Sequence, residues 1–211
     1  MIIAIDGPAG AGKSSAAKML SKLLKFEYID TGAMYRAFAF KVLQTKCNYN
    51  NISEINSLLD TTIIDFNDGH IFLDNVIVDS QIRTEEVSKL SSKIATIKEV
   101  RYKLVDIQKA IANNKNAILD GRDIGTYVFP NADFKFFLTA SPEARGKRRY
   151  SELKQKGISA NLENVINEIK KRDFNDSTRK VAPLKPAENA IIVDTTNMEL
   201  NEVVKLMADI I

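Results

Sequence analysis

Residues 7–14 read GPAGAGKS, a match to G-x-x-x-x-G-K-[ST]. A loop of this type cradles phosphate when a strand delivers it and a helix begins at its end. Both flanks fit. Ile2, Ile3, Ala4 and Ile5 form a short apolar run suited to a buried parallel strand. Beyond the loop, Ala16, Leu20, Leu23 and Leu24 recur at helical spacing. The chain is therefore constrained to open with strand, loop and helix, the start of an α/β fold. Glycines let backbone N–H groups turn inward, and the helix N-terminus adds partial positive charge. Gly7, Pro8, Ala9, Gly10, Ala11, Gly12, Lys13, Ser14 and Ser15 are the candidate nucleotide-binding residues. Lys13 is placed to reach the β- and γ-phosphates, and the Ser14 hydroxyl to reach Mg²⁺.

The rest of the chain continues the alternation. Strands are expected at 2–6, 26–29, 116–120, 133–139 and 190–194. Helices are expected at 13–25, 32–46, 53–60, 84–95, 98–114, 142–156, 162–175 and 199–210. This pattern predicts a parallel sheet wrapped by helices, of the P-loop NTPase type. Residues 62–79, TIIDFNDGHIFLDNVIVD, break it. They read as strand, Asp-Gly turn, strand, Asp-Asn turn, strand: a small antiparallel three-stranded insert near 62–67, 70–74 and 76–79. No internal repeat or linker is visible, so residues 1–211 are expected to be one domain.

Several function classes are excluded at this stage. No apolar run approaches the ~20 residues that span a bilayer. The opening MIIAI is too short for a signal sequence and runs straight into the loop, so a cytoplasmic protein without a membrane partner is expected. A formal net charge of only +3 argues against a nucleic-acid partner. The single cysteine, Cys47, excludes an internal disulfide, and the lone His70 excludes a two-histidine metal site. A guanine-reading N-K-x-D is missing; the nearest string, NKNA at 114–117, carries Ala117 where the carboxylate belongs.

Three clusters suggest a second, acceptor site. DTGAMYR (30–36) opens a helix, with Asp30 or Thr31 as its cap and Arg36 about one turn in. LDGRDIGT (119–126) follows a strand at the sheet edge where α/β proteins bind ligands. There Arg122 can grip a phosphate bidentately, and Asp120 and Asp123 sit near the expected Mg²⁺ and substrate. KRDFNDSTRKVAPL (171–184) supplies Arg172, Asp176 and Arg179. A single such arginine would ordinarily be a surface ion pair; three clusters after core elements point to a site.

Taken together, IDGPAGAGKS (5–14), DTGAMYR (30–36), the meander with IRTEEVS (82–88), DGRDIGT (120–126) and RD…R-x-VAPL (172–184) resemble the bacterial cytidylate kinase family, the CMP/dCMP kinases. The resemblance covers nearly the whole chain. It implies transfer of the γ-phosphoryl group of ATP to CMP or dCMP, with Mg²⁺ held at Ser14 and Asp120. It implies a CMP-binding insert at about 60–83, a short helical lid at about 142–160, and a monomer. Arg36 and Arg122 would hold the acceptor phosphate. Ser92, Arg101 and Asp123 would read the cytosine edge, with Arg179 as a further candidate. Arg172 and Asp176 would contact the ribose, and Thr31 belongs to the same substrate-binding set. Lys13, Arg122, Asp123 and the lid arginines Arg145, Arg148 and Arg149 are the candidate catalytic groups, the lid arginines unranked. Residues 174–177, FNDS, depart from the more arginine-rich stretch expected of the family, which bears on the ATP side. Two other readings are a different small-acceptor kinase and a nucleotide-binding regulator that transfers nothing.

Overall fold

A computed structural model describes residues 1–155 and 157–211. Position 156, which falls inside the expected 142–156 helix and 142–160 lid, lies outside the described residues. The elements in chain order are β1 (Ile2–Asp6), α1 (Lys13–Leu24), β2 (Glu27–Asp30), α2 (Thr31–Thr45), α3 (Ile52–Asp60), β3 (Ile64–Asn67), β4 (His70–Leu73), β5 (Val76–Ile77), α4 (Glu85–Ile94), α5 (Lys98–Ala112), β6 (Ala117–Asp120), β7 (Phe134–Thr139), α6 (Pro142–Gln155), α7 (Leu162–Thr178), β8 (Ile191–Asp194) and α8 (Leu200–Ile210). Five strands form a sheet in the order β2-β6-β1-β7-β8, and three form a second sheet, β3-β4-β5. The α/β class and the antiparallel insert expected from the sequence are both present. By internal packing the chain divides into two compact units, Met1–Phe26 with Ala117–Ile211, and Glu27–Asn116.

In the first unit β1 runs parallel to both β6 and β7. Ile5 lies opposite Asp120 on one side and opposite Phe136 on the other. This register brings the C-terminal ends of β1 and β6 to one edge, where α/β sheets bind ligands. Ile3, Ala4, Ile5, Leu20, Ile118, Leu119, Phe136 and Leu138 form the buried core. The apolar content of β1 thus reflects burial on both faces.

α6 and α7 pack closely at Gly146. A Cβ at that position would lie 2.3 Å from Ile166 Cγ1. Gly146→Ala should therefore lower the melting temperature, because overpacking at about 1–3 kcal/mol outweighs a helix-propensity gain of about 1 kcal/mol. Adding Ile166→Ala should restore part of the loss in a thermal melt. A double variant no more stable than Gly146→Ala would show that the contact is not the cause.

In the second unit, Met34, Phe38, Ile55, Ile71, Ile82, Ile94 and Leu104 are buried. The meander turns have the backbone that their residues favour. Asp68 and Gly69 have φ of 51° and 80°, and Asp74 and Asn75 have φ of 50° and 66°. Positive φ at both central residues suits the twist of a two-residue hairpin. The strands are shorter than the alternation predicts, because side chains take over at the ends. Asp74 Oδ1 accepts from the Ile63 amide at 3.0 Å, ahead of β3. Asp79 Oδ1 accepts from the Ile71 amide at 3.0 Å, and its Oδ2 lies 2.6 Å from His70 Nδ1, so β5 ends at Ile77.

Two further segments differ from the expectation. α7 continues to Thr178, three residues past the expected end, so Asp176 lies on the helix. The Ser177 and Thr178 hydroxyls donate to the Phe174 carbonyl at 3.1 and 2.7 Å within that added turn. Residues 124–128, expected as loop, form one wide π-type turn. Its first two amides donate to a carboxylate far away in sequence, that of Asp6.

Candidate active site

The loop between β1 and α1 is shaped by glycine where nothing else fits. Gly7 has φ of 144°, and a Cβ there would lie 1.9 Å from the Leu138 carbonyl oxygen. Gly12, at φ 88°, is the left-handed residue that opens α1. Lys13 lies back across the loop, and its Nζ donates to the Pro8 carbonyl at 2.7 Å. It is buried, and its pKa is pushed down to about 7, by burial first and then by the Arg122 charge; Asp120 and Asp6 oppose this. A buried ammonium held this way is primed for an anion, because a polyphosphate would restore its charge.

The Ser14 hydroxyl donates to Asp120 Oδ2 at 2.7 Å. A hydroxyl and a carboxylate at this spacing suit Mg²⁺, which takes few protein ligands and keeps waters and phosphate oxygens. Register explains the meeting: Asp120 ends β6 opposite Ile5, two residues before Gly7.

The three lid candidates differ in what they already do. Arg145 is buried; its Nε donates to the Ala140 carbonyl at 2.8 Å and its Nη1 to the Ala9 carbonyl at 3.1 Å. The same Nη1 lies 2.7 Å from Asp173 Oδ2. Arg148 Nη1 donates to Thr195 Oγ1 at 3.1 Å, and Nη2 to the Thr195 carbonyl. Thr195 Oγ1 in turn lies 3.1 Å from the Ala11 carbonyl. Arg145 and Arg148 therefore brace the loop, while Arg149 is exposed and pairs with Glu152 at 3.0 Å. Thr195 carried no sequence signal, since only the fold brings it to Ala11.

Five of the predicted acceptor residues cluster in the first unit. Arg122 Nε donates to Asp176 Oδ2 at 3.0 Å. Arg179 Nη2 lies 3.2 Å from Asp123 Oδ1, with both side chains buried. Arg172 joins them electrostatically. Burial acts to raise the Asp176 pKa, but the charges of Arg122 and Arg172, the Arg122 hydrogen bond and the Arg179 charge hold it below the usual carboxylate range. Asn175 and Ser177, the departures noted above, are exposed.

The second unit holds the others. Asp30 caps α2, accepting from the Ala33 amide at 2.8 Å, and its other oxygen accepts from Arg36 Nη2 at 2.9 Å. Thr31 is the buried first residue of α2. Arg101 is almost fully buried, donates to the Ala95 carbonyl at 3.1 Å and stacks over the Tyr35 ring at 5.6 Å. Tyr35 escaped the sequence reading, although it adjoins Arg36. Ser92, half-buried on α4, has its Oγ 3.3 Å from the Ser88 carbonyl.

The sequence profile of the family described as Cytidylate kinase matches residues 3–211. The chain belongs to the cytidylate kinase family. Among cytidylate kinases, that of Clostridioides difficile is 51% identical over 205 residues, covering 97% of this chain and 95% of that protein. That of Fusobacterium nucleatum is 46% identical over 208 residues, covering 99% and 95%. The fold also matches shikimate kinase from Acinetobacter baumannii, in complex with shikimate, with a TM-score of 0.50 at 13% identity over 99% of this chain and 91% of that one. As a cytidylate kinase family member the chain is a phosphotransferase that uses ATP as donor. Among its described residues no helix is long and apolar enough to cross a membrane.

Proposed function

We propose that this chain transfers the γ-phosphoryl group of ATP to CMP or dCMP, giving CDP or dCDP and ADP. The observation that carries the reading is the buried Asp123–Arg179 pair beside the Arg122–Asp176 pair, in the same unit as the phosphate loop. A carboxylate there suits the N4 donor of cytosine, and guanidinium groups suit its O2 and N3 acceptors and the phosphate.

Gly7 to Ser15 cradle the ATP phosphates, with Lys13 protonated. Ser14 and Asp120 would hold Mg²⁺, which neutralises phosphate charge as it builds. Arg36 and Arg122 grip the acceptor phosphate. Ser92, Arg101 and Asp123 read the base, with Arg179 holding Asp123. Arg172 and Asp176 orient the ribose, and Thr31 lines the acceptor side. The acceptor phosphate has a second pKa of about 6 and is largely ionised at neutral pH, so it attacks without a general base. Catalysis then rests on alignment and charge neutralisation. Residues at about 60–83 serve as the CMP-binding insert. Those at about 142–160 serve as the lid, with Arg149 the exposed member, paired to Glu152, and Arg145 and Arg148 fixing the loop beneath. The protein works in solution in the cytoplasm as a monomer.

An ADP-release assay across CMP, dCMP, UMP, AMP and GMP tests this. Uracil presents an acceptor where cytosine presents its amino donor, at a cost of about 1–3 kcal/mol. CMP and dCMP should therefore exceed UMP by roughly tenfold to a hundredfold in kcat/KM. Equal turnover of UMP or AMP would overturn the base-reading role, and ATP binding without ADP release would favour a regulator.

A further inference from the structure

Asp6 takes no part in the mechanism above, yet it is among the most constrained groups in the first unit. It ends β1 directly before Gly7 and is buried. Its Oδ1 accepts from the Ile124 amide at 2.8 Å and its Oδ2 from the Gly125 amide at 2.7 Å. Those two amides open the wide turn at 124–128. The turn is closed from the Asp123 carbonyl, which accepts from the Tyr127 and Val128 amides at 2.9 and 3.1 Å. Asp123 itself sits at φ −150° and ψ 23°, outside helix or strand geometry. The Asp6 carboxylate, 118 positions from Ile124, anchors the two amides that directly follow Asp123.

We propose that Asp6 is a positioning residue for the acceptor: its two oxygens fix the 124–125 amides and thereby aim Asp123 and Arg122 from a segment anchored to the phosphate loop. The two ends of the reaction share one support. Residue 6 leads into the donor loop through the backbone and holds the acceptor-reading segment through its side chain. Only a carboxylate does this, because both oxygens must accept; an amide would turn an N–H toward one of the two backbone N–H groups.

Stability alone does not account for the residue. Burial raises the Asp6 pKa to about 6, a cost that the Gly125 and Ile124 hydrogen bonds and the Lys13 charge offset only in part; the Asp123 charge adds to it. A buried carboxylate with a shifted pKa beside a phosphate loop is a candidate functional group. Space is equally tight. A Cβ on Gly125 would lie 3.2 Å from Lys135 Cδ, 3.3 Å from Lys135 Cγ and 3.4 Å from Asp6 Oδ2, so a larger residue there must push the Lys135 side chain aside beside this contact.

The inference rests on the CMP kinase reading, and its test separates the two. The native enzyme is assayed first with CMP, and no turnover would overturn that reading and the inference with it. Asp6→Asn is then compared with the native enzyme for CMP KM, kcat, ATP Kd and exchange of the 124 and 125 amides. CMP KM should rise about tenfold or more and both amides should exchange faster, while ATP Kd stays within about threefold. Gly125→Ala, which disturbs the same contact from the other side, should give the same split and serves if the first variant does not fold. Equal losses for CMP and ATP, or a lower melting temperature with an unchanged CMP KM, would reduce Asp6 to a structural cap and overturn the proposal.

Discussion

Lys13→Met should abolish measurable phosphoryl transfer, lowering kcat by at least about a hundredfold while the protein stays folded. The side chain lies across the phosphate loop with its ammonium on the Pro8 carbonyl. In the proposed reaction that ammonium faces the phosphates on which charge builds, and donors aimed at developing charge are each worth roughly 10²–10³ in rate. Folding should not suffer, because burying this ammonium without a phosphate partner is unfavourable. A circular dichroism melt alongside the ADP-release assay separates the two effects. A variant retaining more than a tenth of native kcat would remove Lys13 from the chemistry.

The same residue sets a pH dependence. In the ligand-free enzyme its pKa is pushed down to about 7 by burial and the Arg122 charge. Bound polyphosphate favours the ammonium and raises that pKa. Above pH 7 the free enzyme is mostly deprotonated there, so ATP binding must take up a proton. ATP affinity should fall as pH rises from 7 to 9, approaching tenfold per pH unit. Calorimetry in two buffers of different ionisation enthalpy at pH 8 should show net proton uptake, and Lys13→Met should lose it.

Asp123→Asn should raise CMP KM by about tenfold to a hundredfold, leave ATP affinity nearly unchanged, and shrink the preference for CMP over UMP. Asp123 is buried and faces Arg179 at 3.2 Å. An amide keeps its shape and can turn an N–H toward the uracil O4 that a carboxylate repels. It also loses the charge that holds the guanidinium, so the arginine should be less well placed for the base. A lost hydrogen bond to a buried polar group costs about 1–3 kcal/mol, which sets the range. Kinetics with both acceptors, plus ATP titration, would decide. An unchanged CMP KM with full kcat would count against the role.

Much of this is legible in the sequence. The turn residues Asp68, Gly69, Asp74 and Asn75 specified hairpins because φ > 0 suits few other residues. The helix expected from residue 142 does begin at Pro142, where the Ser141 hydroxyl accepts from the Ala144 amide at 3.1 Å. Strand ends were less legible, since Asp74 and Asp79 replace ladder bonds with side-chain bonds. The arginines proposed for the acceptor site were identifiable as charges after core elements. Their partners were not, because an arginine's sequence neighbourhood does not say which carboxylate will face it.

The amino-acid order specified the strand, loop and helix at residues 2–24, because apolar runs, glycine freedom and helical spacing are local properties. It also determined which residue types were available for phosphate and base recognition. Long-range packing brings Asp120 to Ser14, Asp176 to Arg122, Thr195 to Ala11, and Asp6 to the amides of Ile124 and Gly125. The physical reason is that a hydrogen bond acts over about 3 Å. Groups more than fifty residues apart in sequence come within that distance through strand register and helix packing, which no local pattern encodes.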